Sequence, residues 1–252
     1  METKIAIITG GSRGLGKSAA LHLAASGVDI ILTYQSNESA AKDVVKEIEN
    51  MGRKAVALKL DVGKVKDFPS FAEIVKNRLS EVWQTRTFDF LINNAGMGVY
   101  GSIAETTEEQ FDSLMNVHFK GVFFLVQQLL PLIKDGGKIL NVSSGLTRFT
   151  LNGYAAYAAM KGGIEVLTRY MAKELGPRKI TVNTLAPGAI ETDFGGGRVR
   201  DDAEINKHIA SQTILERVGL PEDIGKAIAV LISPDSSWIN AQRIEASGGM
   251  FV

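Results

Sequence analysis

Tyr157 and Lys161 stand four positions apart in the stretch Tyr-Ala-Ala-Tyr-Ala-Ala-Met-Lys, which opens a segment of helical spacing running through Ala172. On a helix that spacing puts both side chains on one face, about one turn apart. An ammonium beside a phenol favours the phenolate and is expected to draw the tyrosine below its ordinary pKa of about 10. The pair is then a candidate acid/base device near neutral pH. Ser144 follows an apolar run, Lys138 to Val142, that has the character of a buried strand. A hydroxyl at such a strand end can donate a hydrogen bond to a carbonyl without itself titrating. Tyr and Lys at this spacing also arise on ordinary amphipathic helices, and Ser143 with Ser144 can equally be a strand end and a helix cap. The rest of the chain decides between these readings.

The elements that must position these groups alternate between strand and helix. Ile5 to Thr9 is a mostly β-branched run suited to a strand buried on both faces. Gly10-Gly11-Ser12-Arg13-Gly14-Leu15-Gly16 follows, then a helical pattern through Ala25. Strand, glycine loop and helix form a phosphate-binding context, because glycines admit a close ligand and the helix N-terminus offers free N–H groups. Val28 to Thr33 is a second strand, followed by Tyr34-Gln35-Ser36-Asn37, with no carboxylate to repel a 2′-phosphate. Arg13 is either a partner for that phosphate or a solvated loop charge.

Glu38 to Met51 is helical, Lys54 to Leu60 a third strand, and Asp61-Val62 its tip. The next helix is expected to reach about Arg86, and its extension around Trp83 suggests no function. Phe88 to Ile92 is a fourth strand ending in Asn93-Asn94-Ala95-Gly96, where small residues let a ligand lie against the backbone. Thr107 to Ile133 is expected to be one long helix, opened by a capping box at Thr107 and Gln110, with Asn116 inside it. Lys179 to Leu185 is the sixth strand and runs into Ala186-Pro187-Gly188-Ala189-Ile190-Glu191-Thr192. Residues 193–215 begin with a hinge-like Gly195-Gly196-Gly197 and form either a mobile substrate lid or a plain surface insertion. Pro221 to Leu231 is a last helix and Arg243 to Ala246 a last strand.

Thr-Gly-x-x-x-Gly-x-Gly, Asn-Asn-Ala-Gly, Ser144 thirteen residues before Tyr157, Tyr-x-x-x-Lys and the Pro187-Gly188 loop fall in one order across nearly the whole chain. That order resembles the short-chain dehydrogenase/reductase family of the 3-oxoacyl-[acyl-carrier-protein] reductase and carbonyl reductase type. The resemblance implies one doubly wound (Rossmann) α/β domain, 1–252, with about seven parallel strands and helices on both faces. It implies that Ser144 holds the substrate oxygen and that Tyr157 is general acid in reduction. Lys161 would bind the nicotinamide ribose, and Asn116 would complete a proton path through a water. Cofactor contacts are implied for Gly10, Ser12, Arg13, Gly14, Leu15 and Gly16; for Tyr34, Gln35 and Ser36; and for Asp61 and Val62. The same holds for Asn93, Ala95 and Gly96, for Tyr157 and Lys161, and for Pro187, Gly188, Ile190 and Thr192. Asp61 would meet adenine, or else cap the helical segment near Lys64. Ile190 and Thr192 would meet the nicotinamide carboxamide. NADP(H) is expected over NAD, and a homotetramer built by pairing the long helices, with a dimer as fallback. The C-terminal strand departs from the family pattern at Ala241-Gln242 and at Ser247.

Charges balance at 28 against 28, so no field points to nucleic acid or an anionic membrane. No cysteine is present, which excludes disulfides and thiolate chemistry. Apolar runs stop well short of the roughly 18 residues of a membrane span, no signal peptide is expected, and no metal site is suggested. These features point to a cytoplasmic protein. Three functions are compatible with the sequence: an NADPH-dependent reductase of a free small carbonyl (or the reverse alcohol oxidation), a reductase of 3-oxoacyl groups on acyl carrier protein, and a dinucleotide sensor without turnover. Met97, Val99, Leu146, Phe149, Tyr154 and Phe194 are the expected apolar lining of the substrate pocket, or simply core.

Overall fold

Continuous apolar runs need cover on both faces, and β1 (Lys4–Ile8) is buried from Ile5 onward while β2 (Val28–Tyr34) is buried along its whole length. The computed structural model, which describes residues 3–252, joins them with β3 (Ala55–Lys59), β4 (Phe88–Asn93), β5 (Ile133–Val142), β6 (Thr181–Pro187) and β7 (Arg243–Ala246). All pairings are parallel, in the order β3-β2-β1-β4-β5-β6-β7. The helices are α1 (Gly14–Ala25), α2 (Glu38–Asn50), α3 (Phe68–Trp83), α4 (Glu108–Met115), α5 (Gly121–Leu129) and α6 (Ala155–Leu175). After β6 come α7 (Arg198–Asp201), α8 (Ala203–Ser211) and α9 (Pro221–Ile232). One face of the sheet is covered by α1, α2 and α9 through Leu23, Val44 and Ile228. The other is covered by α3, α5 and α6 through Phe71, Leu125 and Leu175. The chain winds outward in both directions from β1 and β4, so a crevice opens at their carboxyl ends.

Two helix boundaries differ from the sequence expectation. The segment expected to be one helix from Thr107 to Ile133 is broken: α4, with its capping box at Thr107 and Gln110, gives way to a π turn over Asn116–Lys120. The Gly121 N–H bonds the Asn116 carbonyl five residues back, and a Cβ at Gly121 would collide with the Val62 carbonyl oxygen. Pro131 then sits in a 3-10 turn, and Ile133 belongs to β5, paired with Phe88. The helix expected to reach Arg86 ends at Trp83, where Gln84 takes the left-handed conformation at φ 51°. The extension has a structural task, since the Trp83 indole donates to the buried Asp29 carboxylate at 2.8 Å.

Among the described residues no helix is long and apolar enough to cross a membrane, and no group of three His, Asp or Glu side chains is placed to hold a metal ion.

Candidate active site

The strand tips are locked together before any ligand is considered. Thr9 Oγ1, just past β1, accepts the N–H groups of Asn94 and Ala95, both at 3.0 Å. The Asn94 side chain donates back to the Thr9 carbonyl at 2.9 Å and the Gly10 carbonyl at 3.2 Å. From β2, Thr33 accepts the Gly10 N–H on its hydroxyl at 3.2 Å and the Gly11 N–H on its carbonyl at 2.8 Å. Gly10 itself adopts φ +66°, and a Cβ there would stand 3.0 Å from Ala95 Cα. The loop therefore lies flat on the β4 tip and delivers the chain to the start of α1 in the crevice.

Arg13 is the extended residue before α1 and makes no side-chain cap. The first N–H groups of the helix lack intrahelical acceptors, and with the positive dipole end they form an anion site. Ser12, Arg13, Gly14 and Leu15 line the cleft at this point, and Tyr34, Gln35 and Ser36 continue it along the β2 tip. Arg13 is largely exposed and lies 3.5 Å from Asp193. Asp61 and Val62 form the next wall. Asp61 accepts the Gly63 N–H at 3.0 Å, so it closes its own turn while still facing the cleft.

At the centre, Ser144, Tyr157 and Lys161 come together in one cleft of about 810 Å³. Lys161 is 5% exposed and donates to the Val142 carbonyl at 2.7 Å. Tyr157 is 6% exposed. Its ring is held edge-on by His118 at 5.1 Å between centroids and tilted against Phe194 at 5.6 Å. Ser144 Oγ accepts the Leu146 N–H at 3.2 Å. Behind them runs a buried polar row. Asn93 donates to Asn141 at 2.8 Å, Asn141 to Thr168 at 2.9 Å, and Thr184 to Thr168 at 2.8 Å. This row ties β4, β5, β6 and α6 and fixes the helix that carries Tyr157 and Lys161.

The expected depression of the Tyr157 phenol is not what this geometry produces. Burial pushes the phenol up, and the hydrogen bond with Ser144 opposes it only in part. Burial also pulls Lys161 down to about 7. Desolvation penalises the charged form of each group. Tyr157 is therefore a protonated phenol at neutral pH.

Three of the expected site residues do not line the cleft. Gly16 is a packing glycine, since a Cβ there would collide with the Gly10 carbonyl oxygen. Asn93 turns into the polar row instead, and its neighbours Asn94, Ala95 and Gly96 form the wall. Asn116 contributes its backbone carbonyl to the π turn, while Val117 and His118 reach the cleft. Pro187, Gly188, Ile190 and Thr192 line the floor beyond Lys161. Gly188 passes so close to the tail that a Cβ would stand 2.9 Å from Ser247 Cα.

Of the expected pocket side chains, Met97, Leu146, Phe149, Tyr154 and Phe194 line the cleft, whereas Val99 packs against the cluster around Leu114. Residues 193–215 fold over the opening as α7 and α8, with Gly195, Gly196 and Gly197 all at positive φ before them. Further side chains line the walls, among them Tyr100, His118, Met250 and Phe251. Gly248 and Gly249, at φ +65° and +78°, fold the tail back, and Arg148 holds the Met250 and Phe251 carbonyls at 2.6 and 3.1 Å. The paired glycines were the visible signal for that return. For His118 the signal was its rarity, one of three histidines in the chain.

A sheet of this order, an anion-binding helix start at the switch point, and a Ser-Tyr-Lys group beside it define a dinucleotide-dependent oxidoreductase site. The family profile described as enoyl-(acyl carrier protein) reductase matches residues 10–251. The chain belongs to this short-chain dehydrogenase/reductase family and is an NAD(P)-dependent oxidoreductase acting on C=O or CH–OH groups. It is similar to the hydroxynaphthalene reductase-like protein Arp2 of Metarhizium acridum, 36% identical over 98% of this chain and 94% of the relative. The tetrahydroxynaphthalene reductase PfmaG of Pestalotiopsis fici is 35% identical over 98% and 91% of the two chains. Among solved structures, the promiscuous reductase LugOII, which catalyses keto-reduction at C1 in lugdunomycin biosynthesis, superimposes with a TM-score of 0.94 at 37% identity, covering 100% and 99% of the chains. The angucycline C-6 ketoreductase LanV with bound NADP gives 0.94 at 35% identity, covering 99% and 96%.

Proposed function

We propose that this protein reduces a ketone on a planar, polycyclic phenol-type molecule, using NADPH. The observation that carries the substrate class is the wall above Ser144 and Tyr157: Tyr100, Phe149, Tyr154, Phe194 and Phe251 supply aromatic surface on several sides of one cleft. Flat aromatic substrates are favoured by such walls through stacking and edge contacts. The hydroxynaphthalene and angucycline chemistry named for the relatives agrees with it.

The cleft fits the dinucleotide. The Gly10 turn and Gly188 both line the cleft, the start of α1 suits a diphosphate, and Arg13, Gln35 and Ser36 bring no carboxylate to the β2 tip that would repel a 2′-phosphate. NADPH, when bound, supplies the hydride. Ser144 donates a hydrogen bond to the ketone oxygen, and Tyr157 gives that oxygen its phenolic proton. Lys161, one turn on, supports the tyrosine electrostatically and holds the cofactor ribose, and α7 with α8 shields the reacting centre from water. Oxidation of NADPH followed by absorbance, with tetralones and hydroxynaphthalenones against short aliphatic ketones and a 3-oxoacyl thioester, tests the assignment. Fast turnover of the aromatic ketones is expected, and faster turnover of the thioester would overturn it.

The assembly we propose is a homotetramer. Phe111 and Phe123 on α4 and α5, and Val166 and Tyr170 on α6, are exposed apolar side chains on the helices expected to pair. Light scattering that gives a monomer at micromolar concentration would refute it. A cytoplasmic location goes with dependence on NADPH and is checked by cell fractionation.

A further inference from the structure

His118 stands in the π turn, is 1% exposed, and packs edge-on against Tyr157. Its Nε2 lies 2.7 Å from the Met97 carbonyl oxygen and 3.2 Å from the Met97 nitrogen. One ring nitrogen cannot serve both as donor and acceptor, and the shorter contact, to the carbonyl, makes Nε2 the protonated nitrogen. Nδ1 is then a bare lone pair. It is buried and has no partner among the described residues, a state that buried acceptors rarely keep. The seat is shaped for the imidazole, because a Cβ at Gly96 would stand 2.8 Å from His118 Cε1 and 3.5 Å from Nδ1. Burial and the charge of Lys161 hold the ring neutral, drawing its pKa down to about 3.

We propose that His118 is a positioning residue of the acid/base centre: a neutral imidazole clamped to Met97 through Nε2–H, whose Nδ1, unpartnered in the cofactor-free chain, accepts a hydrogen bond from the Lys161 ammonium in the cofactor complex. The inference rests on the reduction chemistry proposed above. A neutral acceptor there favours the charged lysine without adding a competing positive charge, and the ring edge fixes the direction of the phenol. Asn116, two residues earlier, cannot take this part, because it does not line the cleft.

Two substitutions separate the acceptor from the ring. His118→Asn keeps an acceptor atom at the same distance along the side chain as Nδ1, whereas His118→Phe keeps an aromatic edge against Tyr157 and loses both nitrogens. His118→Phe is expected to lower kcat on the order of 10²-fold, the scale of a misplaced reacting group, with KM for the ketone and affinity for NADPH within a few-fold of the unaltered protein. His118→Asn should restore most of that loss. A Phe variant as active as the unaltered protein, or an Asn variant as impaired as the Phe variant, would overturn the proposal. Imidazole ¹⁵N NMR of the NADP⁺ complex reads the same feature without turnover. The chain has three histidines, and the signal missing from His118→Asn assigns residue 118. The expected spectrum is the Nε2–H tautomer with Nδ1 in the range of a hydrogen-bonded acceptor. An Nδ1–H tautomer, a cationic ring or a free lone pair would refute the proposal, and where His118→Asn fails to fold, the signals missing from His22→Gln and His208→Gln assign residue 118 by elimination. If no carbonyl is turned over, the reduction chemistry fails, while the nitrogen signals still decide the tautomer and the hydrogen bond.

Discussion

Tyr157→Phe removes one oxygen atom and leaves everything that holds the ring. The ring is 6% exposed and is fixed by His118 at 5.1 Å and Phe194 at 5.6 Å, contacts that phenylalanine makes equally well. The lost hydrogen bond with Ser144 is worth about 1 kcal/mol in stability, so the variant should fold and bind NADPH. The rate is another matter. Proton donation by a placed side chain contributes roughly 10²–10⁴-fold, which at about 1.4 kcal/mol per factor of ten is about 3–5.5 kcal/mol of barrier. NADPH consumption at saturating ketone should fall by that factor, while NADPH fluorescence titration stays within a few-fold of the unaltered protein. Tyr154→Phe is the control. Tyr154 lies one turn earlier, meets Tyr100 edge-on at 5.7 Å, and makes no side-chain cap for α6, so its variant should keep most of the rate. A Tyr157→Phe enzyme within a few-fold of the unaltered one, beside a dead Tyr154→Phe enzyme, would refute the assignment of the proton donor.

Three more outcomes follow from particular contacts. NADPH should bind more tightly than NADH, and Arg13→Ala should narrow the gap by roughly 10–100-fold, the scale of one charge-assisted contact; equal affinities of the unaltered protein in a fluorescence titration would contradict it. Lys161, drawn by burial from 10.5 to about 7, keeps its proton in the unfolded chain and loses it in the folded one between those values. The unfolded state then binds more protons, so the lysine makes the cofactor-free protein more stable as pH rises from about 7 towards 10.5. Ketone reduction runs the other way and slows at a pH high enough for the Lys161 ammonium to lose its proton in the cofactor complex. Thermal melts across that range should show a slope that Lys161→Met flattens, and an unchanged slope would count against the buried lysine. Ala241 sits at φ 59°, a left-handed conformation that costs a residue with a Cβ about 1–2 kcal/mol. Ala241→Gly loses part of that gain to the freer unfolded chain, so a net stabilisation of about 0.5–1 kcal/mol, or a rise in melting temperature of about 1–4 °C, is expected; a lower melting temperature would contradict it.

The strands were legible because a parallel sheet covered on both faces favours apolar runs rich in β-branched residues, and Ile5–Ile8 and Val28–Thr33 supply them, with the buried Asp29 as the one charged interruption. Ser144, Tyr157 and Lys161 were legible because a regular helix and a strand end transmit sequence spacing faithfully into space. The π turn does not. It adds a residue to the helical repeat at Asn116–Lys120, which shifts every side chain after it relative to a 3.6-residue count. The family resemblance gives Asn116 a site role, whereas the π turn brings Val117 and His118 to the cleft. The tail was missed for a different reason. Met250 and Phe251 become walls of the cleft only because Arg148, about a hundred positions away in sequence, holds their carbonyls.

The direction of the Tyr157 shift shows most plainly what local spacing omits. Four residues of helix are enough to bring a lysine beside a phenol, and from that pair alone the phenolate should gain. What reverses the sign is the enclosure of both groups by Phe194 from the segment over the cleft, by His118 from the π turn, and by Val142 from β5. None of these is near Tyr157 in sequence. The enclosure keeps the phenol protonated at neutral pH, so that the proton is in place when a ketone oxygen arrives, and burial in the same enclosure draws Lys161 down as it pushes Tyr157 up.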